Sequence, residues 1–442
     1  MQELLATTAV VVALLVVVAV VAAKYEAYER PYLWASFVAH QLSAVAMVVV
    51  TRDYYEGGDM LAYSFFGSLN AARLRDDFFG HGAALLDVFL QREGAAVRLG
   101  MMGSSTGSMH AVSAALMFLF NDSLHAVCAA IAGGAFFAKI AIYDIATHEL
   151  PSISKKRLLM ACLLIPSAVF WSSGLLKEPI AMLGLGAMMR GGYLIAVAKG
   201  RMRALAWILS GGLVVALLKP YLLPPLGLGA AFWYMMRAQR RSGVELFRRT
   251  RSLAFASVLA FAAIGLTGSV APYLAPENLA EETLKMQAIG ARFEGGSNYT
   301  LAPATATSLG GQLALVPIAM ATALLRPAIF EATSPLVFFN SLEMLIITLL
   351  LASVLLRRGL IDTLRTLAGH PALLFCAVFV AGLAIGVGLT TTNLGTLSRY
   401  RMPLMPFFGI LLAALLVRQE RRVTRAPEMS PRVVRSSAPW RG

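Results

Sequence analysis

The chain has 442 residues, of which 58% are hydrophobic and only 14% are charged, and its formal net charge is +14. A water-soluble protein of this length needs more charged surface, so the composition excludes an ordinary soluble enzyme. The arginines collect in short segments between apolar runs and in the C-terminal tail. This distribution argues against nucleic acid as a partner, because no continuous basic face results.

Apolar segments of membrane-spanning length recur along the chain and predict an all-α, polytopic transmembrane bundle of about 11–13 spans. The expected spans are 6–23, 32–50, 108–121, 123–142, 158–174, 179–197, 203–219, 221–236, 252–270, 334–356, 371–390 and 402–417. The first of these lacks the basic start and cleavage site of a signal peptide, so we expect a retained helix. The cysteines all lie in apolar runs and indicate neither a disulfide framework nor a zinc cluster; they are Cys128, Cys162 and Cys376.

The predicted domain organisation is simple. We expect one membrane domain, 1–417, and a basic, disordered tail, 418–442, held near anionic headgroups. Two long segments, 51–107 and 271–332, are not apolar enough throughout to be spans and are predicted to be outer loops. The first mixes apolar residues with arginines and aspartates, which indicates amphipathic helices lying in the membrane interface.

Orientation follows from the basic clusters, which prefer the cytoplasmic side. They predict a cytoplasmic C-terminus, and they place the two long loops and the turns near residues 175, 219 and 400 outside the cytoplasm. The cluster 155–157 is cytoplasmic only if one of the segments 108–121 and 123–142 is not a complete span, and the sequence leaves open which one. Frequent Ala, Arg and Gly are typical of a bacterial protein, so we expect a multi-pass protein of the bacterial inner (plasma) membrane.

Acidic residues follow the second predicted span. Asp53 and Asp59 lie just beyond it, and the glycines at 57 and 58 allow a sharp turn. A carboxylate at a membrane surface can act as general base on a sugar hydroxyl or help to hold a divalent cation. We favour Asp59, because it follows the glycine pair and Tyr63 lies one helical turn further on.

Further charges lie at the ends of apolar runs on the same predicted side. Lys177 and Glu178 follow a turn of small polar residues, which suggests that they face a cavity. Arg399 and Arg401 precede the last span, and guanidinium groups can fork onto phosphate oxygens. Lys219 is another outer cation. Simple anchoring of helix ends at headgroup level remains an alternative for each of them.

Three further polar residues lie in or beside apolar spans. Glu343 is a candidate wall residue of a cavity, because a charge inside a span usually faces a partner or a cavity. His40 and His110 are interpreted as hydrogen-bonded packing residues. The chain has no P-loop, zinc-protease motif or nucleophile elbow, so no motif supports phosphorylation from cytoplasmic ATP.

Taken in order, these features resemble the GT-C superfamily of integral membrane glycosyltransferases, most of all its bacterial mannosyltransferase and aminoarabinose-transferase group. The resemblance rests on Gly58-Asp59-Met-Leu-Ala-Tyr63, Phe120-Asn-Asp-Ser123, the stretch from Pro166 to Glu178, the stretch from Gly212 to Lys219, and Arg399 with Pro403 and Pro406. The family usually has aspartate where this chain has Glu178. The large soluble C-terminal domain of many oligosaccharyltransferases is lacking, so protein N-glycosylation is not expected.

The resemblance implies transfer of a sugar from a polyprenyl-phosphate donor to an extracytoplasmic glycan or lipid acceptor, with inversion. Asp59 would be the general base, with Asp53 as its substitute, and Glu178 would orient the acceptor or a metal. No cofactor is certain, but a divalent cation, Mg²⁺ or Mn²⁺, is compatible with this chemistry. Substrate and phosphate contacts would come from Lys177, Lys219, Arg399, Arg401 and Tyr63.

Two other functions fit the same pattern. A polymerase of cell-surface polysaccharide repeat units would use outer arginines on lipid pyrophosphate, and the two large loops suit it. A non-catalytic transporter or flippase of lipid-linked glycans would show inverted repeats and charges at mid-membrane. Membrane lipids are expected partners in all three cases.

Overall fold

The computed structural model describes residues 2–242, 278–291, 297–299, 301 and 309–417. Within these ranges the chain is helical, with one isolated β-bridge and no strand. The first ten helices are α1 (Gln2–Ala22), α2 (Arg30–Val49), α3 (Asp59–Asp76), α4 (Phe78–Phe89), α5 (Ala95–Arg98), α6 (Ser104–Leu119), α7 (Leu124–Glu149), α8 (Lys155–Leu163), α9 (Pro166–Phe170) and α10 (Lys177–Ala196). The others are α11 (Arg201–Leu218), α12 (Leu223–Ser242), α13 (Leu279–Ala291), α14 (Leu309–Ala314), α15 (Val316–Leu325), α16 (Pro335–Arg358), α17 (Leu360–Gly369), α18 (Pro371–Thr390), α19 (Leu394–Tyr400) and α20 (Met405–Leu415).

Seven helices of the described ranges are long and apolar enough to cross a membrane. They are Glu3–Ala22, Arg30–Tyr54, Leu124–Glu149, Lys177–Ala196, Arg201–Leu218, Pro335–Arg358 and Pro371–Thr390. The predicted all-helical class with membrane-length helices is thereby confirmed. The total of 11–13 spans and the interfacial helices stay predictions, and the predicted span 252–270, the tail 418–442 and parts of the loop 271–332 lie outside the described residues. Of the predicted spans 108–121 and 123–142, the second corresponds to α7, which is among the seven, whereas the first lies mostly in α6, which is not.

Contacts between helix ends define two ends of the bundle. Near the start of α1, the hydroxyl of Thr7 lies 3.2 Å from that of Ser123, which precedes α7. Just beyond the end of α1, the Tyr25 hydroxyl donates to Asp144, 2.8 Å away, near the end of α7. The two helices therefore run parallel. The largest buried apolar cluster joins α2, α7, α8, α10, α18 and α20. Packing in this cluster fixes the positions of the other helices relative to α1 and α7.

Helices α10 and α11 form an antiparallel hairpin with very close backbone contact. A Cβ atom on Gly211 would lie 2.4 Å from the carbonyl oxygen of Gly184 on the facing helix. Small residues at such a crossing let two membrane helices approach and pack. The hairpin brings Glu178, in the first turn of α10, next to Lys219, which directly follows α11.

The segment before α10 is a broken helix. Pro166 begins the short α9 after two non-helical residues, and proline is well suited to a first helical position. Both the backbone N–H and the hydroxyl of Ser167 donate to the Glu343 carboxylate at 2.6 Å. Glu343 therefore holds α9 against α16. The following turn lies against α2, because a Cβ on Gly174 would be 2.8 Å from Cγ of Met47.

Candidate functional site

Four charged side chains from distant parts of the chain meet at one end of the bundle. We call Asp59, Glu178, Lys219 and Arg399 the ion-pair cluster. Lys219 Nζ lies 2.7 Å from Glu178 Oε1, and Arg399 Nη2 lies 2.8 Å from Asp59 Oδ2. Arg399 Nε lies 3.5 Å from Glu178 Oε1, so the guanidinium group contacts both carboxylates. All four residues were predicted site residues, and the structure brings them together.

Lys219 lies in a buried, aromatic environment. Its Nζ is 4.1 Å from the ring centre of Tyr400 and 5.4 Å from that of Tyr221. Burial lowers the pKa of Lys219, but the negative charge of Glu178, with a smaller effect of the two tyrosines, outweighs burial and raises it above the usual range. Lys219 therefore remains an ammonium group at physiological pH.

Arg399 is carried by the short helix α19, which begins at a well-defined cap. The Asn393 side chain accepts from the N–H groups of Gly395 and Thr396, as expected of an N-cap asparagine. Burial opposes the charge of Arg399, whereas Glu178, Tyr400 and Asp59 together raise its pKa. Arg399 is thus a permanent cation between two acids.

The two carboxylates of the cluster differ in accessibility. The Asp59 side chain is 50% exposed, whereas that of Glu178 is 2% exposed. Asp59 is the first residue of α3 and follows Gly58, whose φ of +102° favours glycine. Of the two acids, only Asp59 is placed to meet a substrate directly.

Tyr63 and Lys177 flank the cluster. Tyr63 is buried one turn after Asp59, and its pKa is raised by burial and then by the charges of Asp59 and Glu178. Lys177 Nζ donates to Ser105 Oγ at 3.0 Å and to Thr106 Oγ1 at 2.9 Å, which ties the start of α10 to the start of α6. The sequence interpretation did not anticipate these two hydroxyl partners, because Ser and Thr at a helix start are common capping residues.

Two predicted site residues do not join the cluster. Asp53 is exposed and pairs with its neighbour Arg52 at 3.2 Å. Arg401 is fully buried and points elsewhere: it donates to the Asn340 side chain at 2.8 Å and to backbone carbonyl oxygens, those of Ala323 and Arg326. In these contacts Arg401 holds α15 and α16 together.

The turn 120–123 also has a local role. Asn121 and Asp122 adopt positive φ values of 50° and 60°, and the Asp122 carboxylate pairs with Arg75 of α3 at 2.6 Å. Ser123 then accepts from the Ala126 N–H at the start of α7. The turn therefore connects α3, α6 and α7 rather than contributing to the ion-pair cluster.

Lys139 is a buried charged residue that the sequence interpretation missed. It lies on α7 and is fully buried, with three neutral hydrogen-bond partners. A single lysine in a long apolar segment was the available signal, because such residues are rare in membrane helices and usually have a function.

A divalent cation does not fit the cluster as it is arranged. The Arg399 guanidinium occupies the position between Asp59 and Glu178 that a bridging metal would need. Among the described residues no group of three or more His, Cys, Asp or Glu is placed to hold a metal ion. A requirement for Mg²⁺ or Mn²⁺ stays a prediction.

Comparisons with protein-family models, with curated proteins and with solved structures find no match for this chain. The fold and the site together define an all-helical protein with membrane-length helices and, at one end, an ion-pair cluster in which Asp59 is the accessible member.

Proposed function

We propose that the protein is an inverting membrane glycosyltransferase that moves a sugar from a polyprenyl-phosphate donor to a glycan or lipid acceptor. The observation that carries the proposal is the convergence of an accessible carboxylate, Asp59, with two cations that a buried carboxylate holds in place. Such a site offers a base for the acceptor hydroxyl and cations for the departing phosphate.

The charge balance of the site favours an anionic substrate. Three cations, Lys177, Lys219 and Arg399, interact electrostatically with two carboxylates, Glu178 and Asp59, so the formal charge is positive by one. Lys177 is also the first residue of one helix and contacts the first turn of another, α6, and helix starts carry partial positive charge. The negative charge of a lipid phosphate would balance this excess positive charge.

The chemical step divides these residues between two roles. Asp59 takes the proton of the acceptor hydroxyl as its oxygen attacks the anomeric carbon. The bond from that carbon to the phosphate oxygen breaks, and the phosphate leaves with the electron pair. Attack opposite the leaving group inverts the anomeric configuration. Glu178, which is too buried to meet the acceptor, holds Lys219 and Arg399 at the leaving phosphate.

Arg399 couples the two roles. In the structure it pairs with Asp59, and a donor phosphate competes for the same guanidinium group. Donor binding would therefore release the Asp59 carboxylate to accept a proton. In this proposal the site lies on the extracytoplasmic side of a bacterial inner membrane, with the C-terminus in the cytoplasm, as the positive-inside rule indicates.

A polymerase of polysaccharide repeat units is the second candidate. Arg399 contacts both acids and is therefore the central group of the cluster. This arrangement favours a polymerase, in which an arginine rather than a carboxylate is the essential residue. In a polymerase the arginine would bind lipid pyrophosphate, and Asp59 would serve mainly to orient it.

The test is sugar transfer by the purified protein in lipid nanodiscs, with radiolabelled polyprenyl-phosphate hexoses and pentoses as donors and an extract of cell-envelope glycans and lipids as acceptor. Asp59→Asn is expected to lower kcat by about 10²–10⁴-fold, as for loss of a general base. Asp53→Asn changes an exposed acid at the end of the preceding helix, is the matched control and should retain activity. Activity retained in Asp59→Asn but lost in Arg399→Lys would favour the polymerase, and no transfer by the wild-type protein from any donor would refute the transferase.

A further inference from the structure

Lys139 is a buried lysine that lies outside the ion-pair cluster. Its Nζ donates to His40 Nε2 at 3.0 Å, to the carbonyl oxygen of Ala168 at 2.8 Å and to Ser172 Oγ at 2.8 Å. Lys139, His40 and Ser172 are all fully buried. Along α7, Lys139 lies roughly 22 Å from the first residue, which is well inside a candidate membrane span.

The hydrogen-bond pattern assigns the protonation of this group. His40 Nδ1 lies 2.7 Å from the carbonyl oxygen of Ser36, so Nδ1 carries the proton and Nε2 is left as an acceptor. The Ser172 hydroxyl donates to the carbonyl oxygen of Val169 at 3.1 Å and therefore accepts from the lysine. Three acceptors match the three N–H groups of an ammonium ion.

This ammonium group has no carboxylate partner among the described residues. A buried charge without a counter-ion is expensive, so its retention needs a reason beyond packing. The reason lies in what its three partners are attached to. His40 is on α2, which leads to the loop of Asp59, whereas Ala168 and Ser172 belong to α9 and the turn that lead to Glu178.

We propose that Lys139 is a positioning residue that fixes the turn of residues 171–176 against α2 and so sets Glu178 relative to Asp59. The close contact of Gly174 with Met47 shows that this turn already lies on α2, and hydrogen bonds of Lys139 are what orient it there. A role of this positioning in catalysis rests on the proposed function. The effect of Lys139 on the position of the turn does not depend on that function.

The experiment measures exposure of the turn without any substrate, so it can fail independently of the proposed function. A full-length protein with its three cysteines changed to alanine receives one reporter thiol, Ser173→Cys, at a fully buried position of the turn. The rate of labelling by N-ethylmaleimide is measured in detergent micelles. Lys139→Met should raise this rate by about tenfold or more, because hydrogen bonds to a charged group are lost.

Two variants separate positioning from packing. Lys139→Gln keeps two N–H donors and should label more slowly than Lys139→Met, whereas equal rates would show that only volume matters. Arg401→Met also removes a fully buried cation, but one whose hydrogen bonds go to Asn340 and to the carbonyl oxygens of Ala323 and Arg326 rather than to the turn, so the reporter thiol should remain as protected as in the parent protein.

A second reporter tests the fold as a whole. A protein that keeps only Cys376, which is buried on α18, should remain protected in the Lys139→Met background. The proposal is overturned if the reporter thiol of the turn stays protected in Lys139→Met, if Arg401→Met exposes it equally, or if Cys376 becomes reactive together with it.

Discussion

Removing the Glu178 carboxylate should destabilise the protein far more than an ordinary ion-pair mutation. Its side chain is 2% exposed and that of Lys219 is 8% exposed, so both charges are desolvated and depend on each other. Removing one partner of a buried pair costs about 3–5 kcal/mol, because the other charge is left unpaired. Glu178→Ala is therefore expected to lower the free energy of unfolding by about that amount.

A double-mutant cycle distinguishes pairing from loss of packing. Glu178→Leu combined with Lys219→Met removes both charges, and apolar replacement of a whole buried pair is often neutral or stabilising. The double variant should therefore be more stable than either single variant. The control is Asp362→Ala, which breaks an exposed pair with Arg365 and should cost about 1 kcal/mol or less.

The assay is reversible unfolding in mixed micelles, followed by circular dichroism, for the four members of the cycle, for Glu178→Ala and for the control. An interaction energy of more than about 1 kcal/mol is expected for two residues in direct contact. Strict additivity of the two single variants, or a cost for Glu178→Ala no larger than that for the exposed pair, would refute the reasoning.

Three other predictions use matched positions. Gly58→Ala should lower the free energy of unfolding by about 1–3 kcal/mol and reduce activity, because Gly58 has a φ of +102° and a ψ of 179°. Gly57→Ala should be tolerated, because Gly57 does not have a positive φ. Unfolding and transfer assays compare the two variants. Gly211→Ala should push α10 and α11 apart and reduce activity, because the new Cβ would lie 2.4 Å from a facing carbonyl oxygen. Gly212→Ala is the control and should remain active, because the nearest atom to its new Cβ is 4.0 Å away. Equal loss of activity in the two variants would contradict this prediction. Burial, and then a neighbouring ammonium group, lower the pKa of His110, so the folded state disfavours its protonation. Stability should fall as pH drops below about 6.5, and His110→Phe should remove this part of the pH dependence in unfolding experiments; an unchanged pH profile would count against it.

The sequence could reveal all four members of the ion-pair cluster because charged groups at the ends of apolar segments are costly and therefore stand out. Asp59, Glu178, Lys219 and Arg399 were all recognised in this way. The same reasoning could not separate Arg399 from Arg401. Arg399 lies in the last turn of α19 and Arg401 directly follows that helix, still with helical backbone angles. Residues two apart in such a backbone point about 200° apart, so one arginine reaches the cluster and the other is buried against α15 and α16.

What the sequence by itself determined was the helical class, the membrane-length apolar helices and the positions at which charge interrupts them. These are local properties, since hydrophobicity over about 20 residues decides whether a segment can lie in a membrane. The tertiary structure alone decided which charges pair. Pairing depends on close contacts between distant segments, such as Gly184 with Gly211 and the turn near Gly174 with α2. It also decided that Lys139 connects two of these segments, because its three hydrogen-bond acceptors come from α2 and from α9 with the turn that follows it.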